Sequence, residues 1–122
     1  MFMSHRPLRG IVGVLLICSL WGCSQGNTPS HPLDQELARA SVQKAMQTWV
    51  DGKTPENLKP DIVVGDPSWQ LGDKLVSFEI VTKEETSDGS NLHIVVKQKF
   101  DSSESQVTYI VGTSPVVTIF PQ

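Results

Sequence analysis

Cysteine is scarce in this sequence: the 122 residues contain two, Cys18 and Cys23, and both lie near the amino terminus. A disulfide framework of the kind that stabilises many small exported domains is therefore excluded for the chain beyond residue 23. Histidine is also rare, with three residues in all. His31 and His93 are the two that follow residue 22. A zinc site normally draws on several His or Cys ligands, so we predict no metal site and no cofactor.

The sequence also lacks an apolar run that could span a bilayer. The most apolar stretch, residues 11–21, is eleven residues long, whereas a spanning helix needs about twenty. It follows the basic segment 1–10, in which no acid balances Arg6 and Arg9. A basic segment followed by a short apolar run is typical of a signal peptide.

The apolar run ends in Leu20-Trp21-Gly22-Cys23, which resembles the lipobox of bacterial lipoproteins. That motif has an aliphatic residue three positions before the cysteine and a small residue directly before it; Trp21 is bulkier than is usual between them. The resemblance implies a type II signal peptide over residues 1–22, cleavage between Gly22 and Cys23, and lipidation of the Cys23 sulfur. An inner-membrane retention signal has an acidic residue directly after the cysteine. This chain has Ser24 at that position, which favours the outer membrane.

Positive charge is sparse once residues 1–22 are removed. Their removal takes away Arg6 and Arg9 but no acid, so the net charge moves from −3 to −5. A nucleic-acid partner is therefore not expected. Because acids and bases are interspersed along the remaining chain, no polybasic segment exists to hold an anionic bilayer. We predict that the lipid at Cys23 attaches the protein to the membrane of the cell envelope.

The start of the mature chain predicts a tether followed by a helix. Residues 24–32 contain no large apolar side chain and predict, with Cys23, a flexible linker of roughly 15 to 20 Å. A helix is predicted over residues 33–50, since apolar residues recur there at spacings of three and four. The predicted stripe consists of Leu37, Ala38, Val42, Ala45, Met46 and Trp49. Gly52 is expected to end the helix.

From residue 74 onward apolar side chains alternate, which predicts β-strands. The expected inward residues are Val76, Phe78 and Ile80, then Leu92, Ile94, Val96 and Phe100, then Val107, Tyr109 and Val111. Turns are expected over 84–91 and 101–104. A brief strand is predicted at 62–64, and a break at Pro115 before a last strand over 116–120.

One helix followed by four or five strands predicts a single α+β domain over residues 33–122. The long helix would pack on one face of a curved antiparallel sheet. Over residues 33–120 this pattern resembles the cystatin-like and nuclear-transport-factor-2-like folds. The segments 49–53 and 107–120 are also similar to small uncharacterised exported bacterial lipoproteins, a likeness that implies no activity.

Catalytic chemistry has little support in the sequence. There is no Gly-x-Ser-x-Gly motif, and no cysteine thiol remains once Cys23 is lipidated. An acid and base pair could come from Asp66, Asp73 and Glu79, as in small isomerases with a related sheet, but a single helix closes no deep pocket. We predict no catalytic residues. The alternative function is a small hydrolase or isomerase with a cleft between helix and sheet.

The segment 106–112 superficially resembles the Gln-x-Val-x-Gly loop of cystatin inhibitors. Gln106 and Gly112 are, however, six positions apart, where the motif requires four. The segment also alternates like a strand, whereas the inhibitory motif forms an exposed hairpin tip. Protease inhibition is therefore not predicted, because function depends on the site and not on the fold.

Three side chains each allow two roles: Trp49 in the core or at a ligand, Trp69 as a cap or a partner contact, and His93 at the surface or at a metal. Trp49 continues the helix stripe and is predicted to be core. Trp69 follows a proline turn and either caps one end of the sheet or stands exposed as a possible partner contact. His93 shares a strand face with Lys97 and Lys99, which predicts a surface histidine.

The function that we predict is a membrane-anchored, non-enzymatic module that binds another envelope protein.

Overall fold

The chain forms one long helix ahead of a six-stranded sheet. The structure is a computed structural model that describes residues 32–122. The helices are α1 (Gln35–Val50) and α2 (Pro67–Gln70), and the strands are β1 (Ile62–Val64), β2 (Leu75–Ile80), β3 (Thr86–Ser87), β4 (Leu92–Phe100), β5 (Glu104–Gly112) and β6 (Val117–Pro121). Short 3₁₀ turns cover Pro55–Leu58 and Thr82–Glu84. The predicted α+β class is confirmed. No helix among the residues described is long and apolar enough to cross a membrane.

Both ends of α1 follow from local chemistry. Asp34 precedes the first turn in extended conformation, and its carboxylate accepts a hydrogen bond from the Leu37 amide at 3.0 Å, which caps the helix. At the other end Gly52 has a φ of 82°, a left-handed conformation that costs glycine little. Its amide donates to the carbonyl of Trp49 at 2.9 Å and so satisfies a terminal acceptor. The predicted end at Gly52 is confirmed.

The apolar stripe of α1 faces the sheet, with one exception. Five of its six predicted members are buried, but Leu37 is 43% exposed and Ser41 is buried in its place. The prediction for Leu37 was wrong because apolar character does not fix where the edge of a buried stripe falls. Ser41 is small enough to fit against the sheet at that position.

The sheet is mixed, and the prediction of a purely antiparallel sheet was wrong. Its strand order is β1-β6-β5-β4-β2, and β3 also pairs with β4. Every pairing is antiparallel except that of β1 with β6, which is parallel. The three-residue β1 joins the sheet beside the last strand of the chain. Periodicity predicts that a segment is a strand but carries no information about its neighbour or its direction.

Strand β2 departs from strict alternation. Its pairing with β4 shifts between Leu75 and Ser77, as at a β-bulge. In consequence Leu75 is buried, whereas Val76 is 47% exposed. Val76 was predicted to point inward, and that prediction was wrong because the bulge breaks the period of two. Phe78 and Ile80 lie beyond the bulge and pack against the core.

The segment predicted to be one long turn, residues 84–91, contains more structure. It holds the end of a 3₁₀ turn and the short strand β3, which continues along β4 where β2 stops. The true turn starts at Asp88, whose carboxylate accepts hydrogen bonds from the amides of Ser90 and Asn91 at 2.9 and 2.7 Å. The predicted turn after β4 and the break before β6 are confirmed.

Helix α1 covers one face of the sheet, and the opposite face is called the outer face below. The core lies between α1 and the alternate strand residues that point toward it, all fully or nearly fully buried: Leu92, Ile94, Val96, Tyr109, Val111 and Ile119. The residues between them point to the outer face, including Lys97 and Lys99 of β4. Tyr109 and Val111 are inward residues, as predicted.

The domain has two distinct ends. At the helix-start end, the amide of Asp34 donates to the hydroxyl of Thr113 at 3.0 Å, which fixes the beginning of α1 beside the turn between β5 and β6. At the tryptophan end, Trp49 packs against Trp69 and Phe100. Since α1 has 16 residues, these ends are roughly 24 Å apart along the helix.

Candidate functional site

An open groove of about 650 Å³ runs over the outer face of β2, β4 and β5. The strand pairings set two rows of side chains across it. One row consists of Glu79, Lys97 and Gln106. The other consists of Ser77, Lys99 and Glu104. The lining residues are Ser77, Phe78, Glu79, Lys97, Gln98, Lys99, Glu104, Ser105 and Gln106. The groove is therefore lined mostly by polar and charged groups.

Four charged side chains in this groove form no ion pair with one another. Two acids, Glu79 and Glu104, lie directly opposite Lys97 and Lys99 on neighbouring strands. All four residues are exposed. Among the described residues, ion pairs within 4.0 Å join only Arg39 to Glu85, Lys59 to Glu56 and His93 to Asp88. The groove thus offers two ammonium and two carboxylate groups to a bound partner.

A second groove, of about 630 Å³, lies at the tryptophan end. It is formed by the chain before β2 and by the turn between β4 and β5, with Asp73, Lys74, Ser102 and Ser103 among its lining residues. Ser105 lines both grooves. We call the two grooves together, one on the outer face and one at the tryptophan end, the open surface.

A buried polar network lies under the helix. The Tyr109 hydroxyl donates to the Asp66 carboxylate, and the Gln98 side-chain amide donates to the Tyr109 oxygen at 2.7 Å. The second Asp66 oxygen accepts from the Ser68 amide at 3.0 Å and so caps α2. Tyr109 is fully buried, and Asp66 and Gln98 are nearly so. Among the described residues every buried side-chain nitrogen or oxygen has a partner.

The electrostatics of this network favour a structural role. Burial raises the pKa of Tyr109, and the hydrogen bond to the Asp66 carboxylate raises it further. A phenol with a raised pKa holds its proton, and a side chain with no exposed surface cannot reach a substrate. The network instead links the α2 cap to β4 and β5. It rigidifies the core, as fully satisfied buried networks do.

The two tryptophans pack on each other at one end of the sheet. Their ring centroids are 5.2 Å apart, and the planes differ by 7°. The indole nitrogen of Trp69 donates to the carbonyl of Lys53 at 2.8 Å. Trp69 is 5% exposed, which favours the packing interpretation over the role of partner contact that the sequence also allows. Trp49 is 3% exposed and lies in the core, as predicted.

Two ion pairs hold the helix-start end. The guanidinium of Arg39 contacts both carboxylate oxygens of Glu85, with Nη2 2.6 Å from Oε2, and this hydrogen-bonded pair raises the pKa of Arg39. Nε2 of His93 lies 3.0 Å from a carboxylate oxygen of Asp88. That contact and the amides of the turn lower the pKa of Asp88 to about 2. His93 is half-buried on the outer face and is the partner of Asp88.

The three carboxylates considered for acid and base chemistry have different surroundings. Asp66 is buried against Tyr109, whereas Asp73 lines the second groove and Glu79 the first. No hydrogen bond joins any two of them within the part of the chain described. No group of three His, Cys, Asp or Glu side chains that could hold a metal ion occurs there either. The segment 106–112 lies within β5 and not at a hairpin tip, as its alternation predicts.

The predicted cleavage and lipidation site at Gly22 and Cys23 and the tether as far as residue 31 lie outside the described residues. The buried network, in contrast, was not predicted from the sequence. One signal could have revealed it: Gln98 is a polar residue at an inward position of β4, between Val96 and Phe100. A buried amide requires a partner.

Comparisons of the chain with protein-family models, with curated protein sequences and with solved structures gave no match. The candidate site is therefore defined by this chain's own geometry.

Proposed function

We propose that this protein is a lipoprotein of the cell envelope, anchored through Cys23, and that its domain is a non-enzymatic module that binds another envelope protein. The anchor is supported by the resemblance of Leu20-Trp21-Gly22-Cys23 to the lipobox. The binding surface that we assign is the open surface defined above. The outer membrane is the favoured location because Ser24 follows the cysteine.

The binding role is supported by one contrast. Side chains fill the space between the helix and the sheet, whereas charged side chains on the outer face have no ion-pair partner within the described chain. Between α1 and the sheet, the side chains of Val42, Met46 and Trp49 pack against buried strand residues, so the expected site of an enzyme cleft is occupied by core. On the outer face, the charges of Lys97 and Lys99 have no ion-pair partner within the described chain. Charged groups at a protein interface contribute more to partner choice and association rate than to affinity.

The position of the chain's entry into the domain also supports this surface. The tether reaches the domain at Pro32, beside the helix-start end. The second groove lies at the opposite end, roughly 24 Å further along α1. If its first residues hold the domain to a membrane, the tryptophan end lies away from the tether and stays free for a partner.

Site-specific photo-crosslinking in the native envelope tests the proposal. A photoreactive amino acid at Gln106, in the groove, should give one dominant crosslinked species, and the same amino acid at Gln43, exposed on α1, should not. Reversal of charge in Lys97→Glu with Lys99→Glu should remove the adduct, whereas Lys53→Glu should retain it. Equal crosslinking from positions 106 and 43, or none from either, would contradict the assigned surface.

A further inference from the structure

The sheet has one open edge that is suitable for pairing. Strand β2 is the last in the sheet order, and among the described residues it pairs with β4 alone. The opposite edge strand, β1, has three residues in all, whereas β2 has six. The bulge disturbs the first half of β2. The segment Phe78-Glu79-Ile80 is regular and contains neither Pro nor Lys, the residues that commonly block an edge.

The side chains of this edge indicate what would pair with it. Phe78 and Ile80 are half-buried on the helix side, where they pack against the core. Glu79 points to the outer face and is the one charged residue of β2. It forms no ion pair within 4.0 Å in the described chain. A neighbouring strand that complements this edge would carry apolar residues beside Phe78 and Ile80 and a basic residue beside Glu79.

We infer that the open edge of β2 at residues 78–80 binds an extended segment of the partner protein in which a Lys or Arg lies between two apolar residues. The segment adds a strand to the sheet. Its backbone hydrogen bonds provide affinity, and its alternating side chains provide specificity. This inference rests on the proposed binding function, because Phe78 and Glu79 belong to both the edge and the open surface.

A second copy of the chain fits this edge less well. Two identical edges related by a two-fold axis pair antiparallel. When residues 78–80 of two copies pair about Glu79, the two Glu79 carboxylates lie opposite each other on the outer face. Like charges directly opposite each other destabilise a strand pair.

The test uses the full chain in detergent micelles and a defined peptide, acetyl-Ser-Thr-Val-Lys-Val-Thr-Ser-amide with a fluorescent label. Fluorescence anisotropy should show binding about fivefold tighter than for the same peptide with Glu in place of Lys. Glu79→Lys should reverse this preference, whereas Glu36→Lys, exposed on α1 and outside both grooves, should retain it. Methylation of alternate peptide nitrogens should abolish binding, because methylated nitrogens cannot donate to a strand.

Hydrogen exchange shows where the peptide lies. Amides of residues 77–81 should gain protection when it binds. Absence of binding, insensitivity to methylation, or protection elsewhere would overturn the inference. Concentration-dependent dimerisation with protection of 77–81 in the absence of peptide would also overturn it and make a second copy the occupant. If crosslinking from Gln106 persists after such a failure, the binding function stands and strand pairing is excluded.

Discussion

The indole rings of Trp49 and Trp69 stack on each other where α1 ends, with each ring nitrogen hydrogen-bonded to a backbone carbonyl. Trp49 donates to Asp73 at 2.7 Å and Trp69 donates to Lys53 at 2.8 Å. These bonds link the chain that follows α1 to the segment that precedes β2. One buried aromatic pair thus holds the tryptophan end together. The segment 51–74 otherwise contains short elements: a 3₁₀ turn, β1 and α2.

Truncation of Trp49 should be costly. Trp49→Ala should lower the free energy of unfolding by about 3 to 5 kcal/mol, because it leaves a cavity and removes the stacking partner of Trp69. Lys53→Ala should cost less than about 0.5 kcal/mol, as an exposed substitution. Denaturant titrations of the two variants test this expectation. A similar small loss in both would show that Trp49 does not support the core.

The folded part of the chain should not depend on thiol chemistry. A protein trimmed to residues 24–122 contains no cysteine, and we expect it to unfold cooperatively at the same temperature with and without reductant. Thermal melts followed by circular dichroism provide the measurement. Failure of this trimmed chain to fold would show that the core requires the anchor or the partner.

Tyr109 should remain protonated in base for as long as the domain stays folded. Its raised pKa means that the folded state holds the proton more tightly than the unfolded chain, in which tyrosine titrates near pH 10. The network's contribution to stability is therefore present below about pH 10 and is lost as the pH rises further. Tyr109 is the one tyrosine of the sequence, so tyrosinate absorbance reports on it directly.

The expected absorbance change in base coincides with unfolding. In Tyr109→Phe the dependence of stability on alkaline pH should become shallower. The variant should also be less stable by about 1 to 3 kcal/mol, because Asp66 loses a buried donor. Ordinary titration near pH 10 in a folded protein would contradict the burial of this network.

Asp88 should contribute to acid sensitivity. Its pKa in the folded state is lowered to about 2, chiefly by the hydrogen bond with His93, whereas an aspartate in an unfolded chain titrates near 3.9. The stabilisation is thus present above about pH 4 and lost as the pH falls toward 2. Asp88→Asn should flatten the acid limb of the stability profile over that window, whereas Ser102→Ala, in the other exposed hairpin turn, should leave it unchanged. Identical acid profiles for wild type and Asp88→Asn would argue against the pairing with His93.

The parts of the fold that the sequence predicted are those determined by local periodicity. Five of the six stripe residues of α1 are buried as expected, and so are five of the seven predicted inward residues of β4 and β5. The other two, Phe100 and Val107, are partly buried against the core. The predictions that were wrong concern features that depend on contacts between residues far apart in the sequence. The bulge that exposes Val76 and the parallel partner of β1 depend on neighbouring strands, which a single chain's periodicity cannot specify.

The candidate site was harder to predict than the fold. The alternating residues Lys97 and Lys99 indicated an exposed strand face, but the acids opposite them come from β2 and β5 and need the pairing register to be located. The contact between Tyr109 and Asp66 joins residues 43 positions apart. No local pattern connects them, so the network becomes visible only in three dimensions.

The proposed lipid anchor is tested by whether the Cys23 sulfur carries a lipid. Cells would be fed a fatty-acid probe while they express the wild-type chain, Cys23→Ser, or Cys18→Ser as the matched control. We expect label in the wild type and in Cys18→Ser, and none in Cys23→Ser, which should accumulate as an unprocessed precursor. Equal labelling of Cys23→Ser, or an unlabelled wild-type chain, would contradict the lipid anchor.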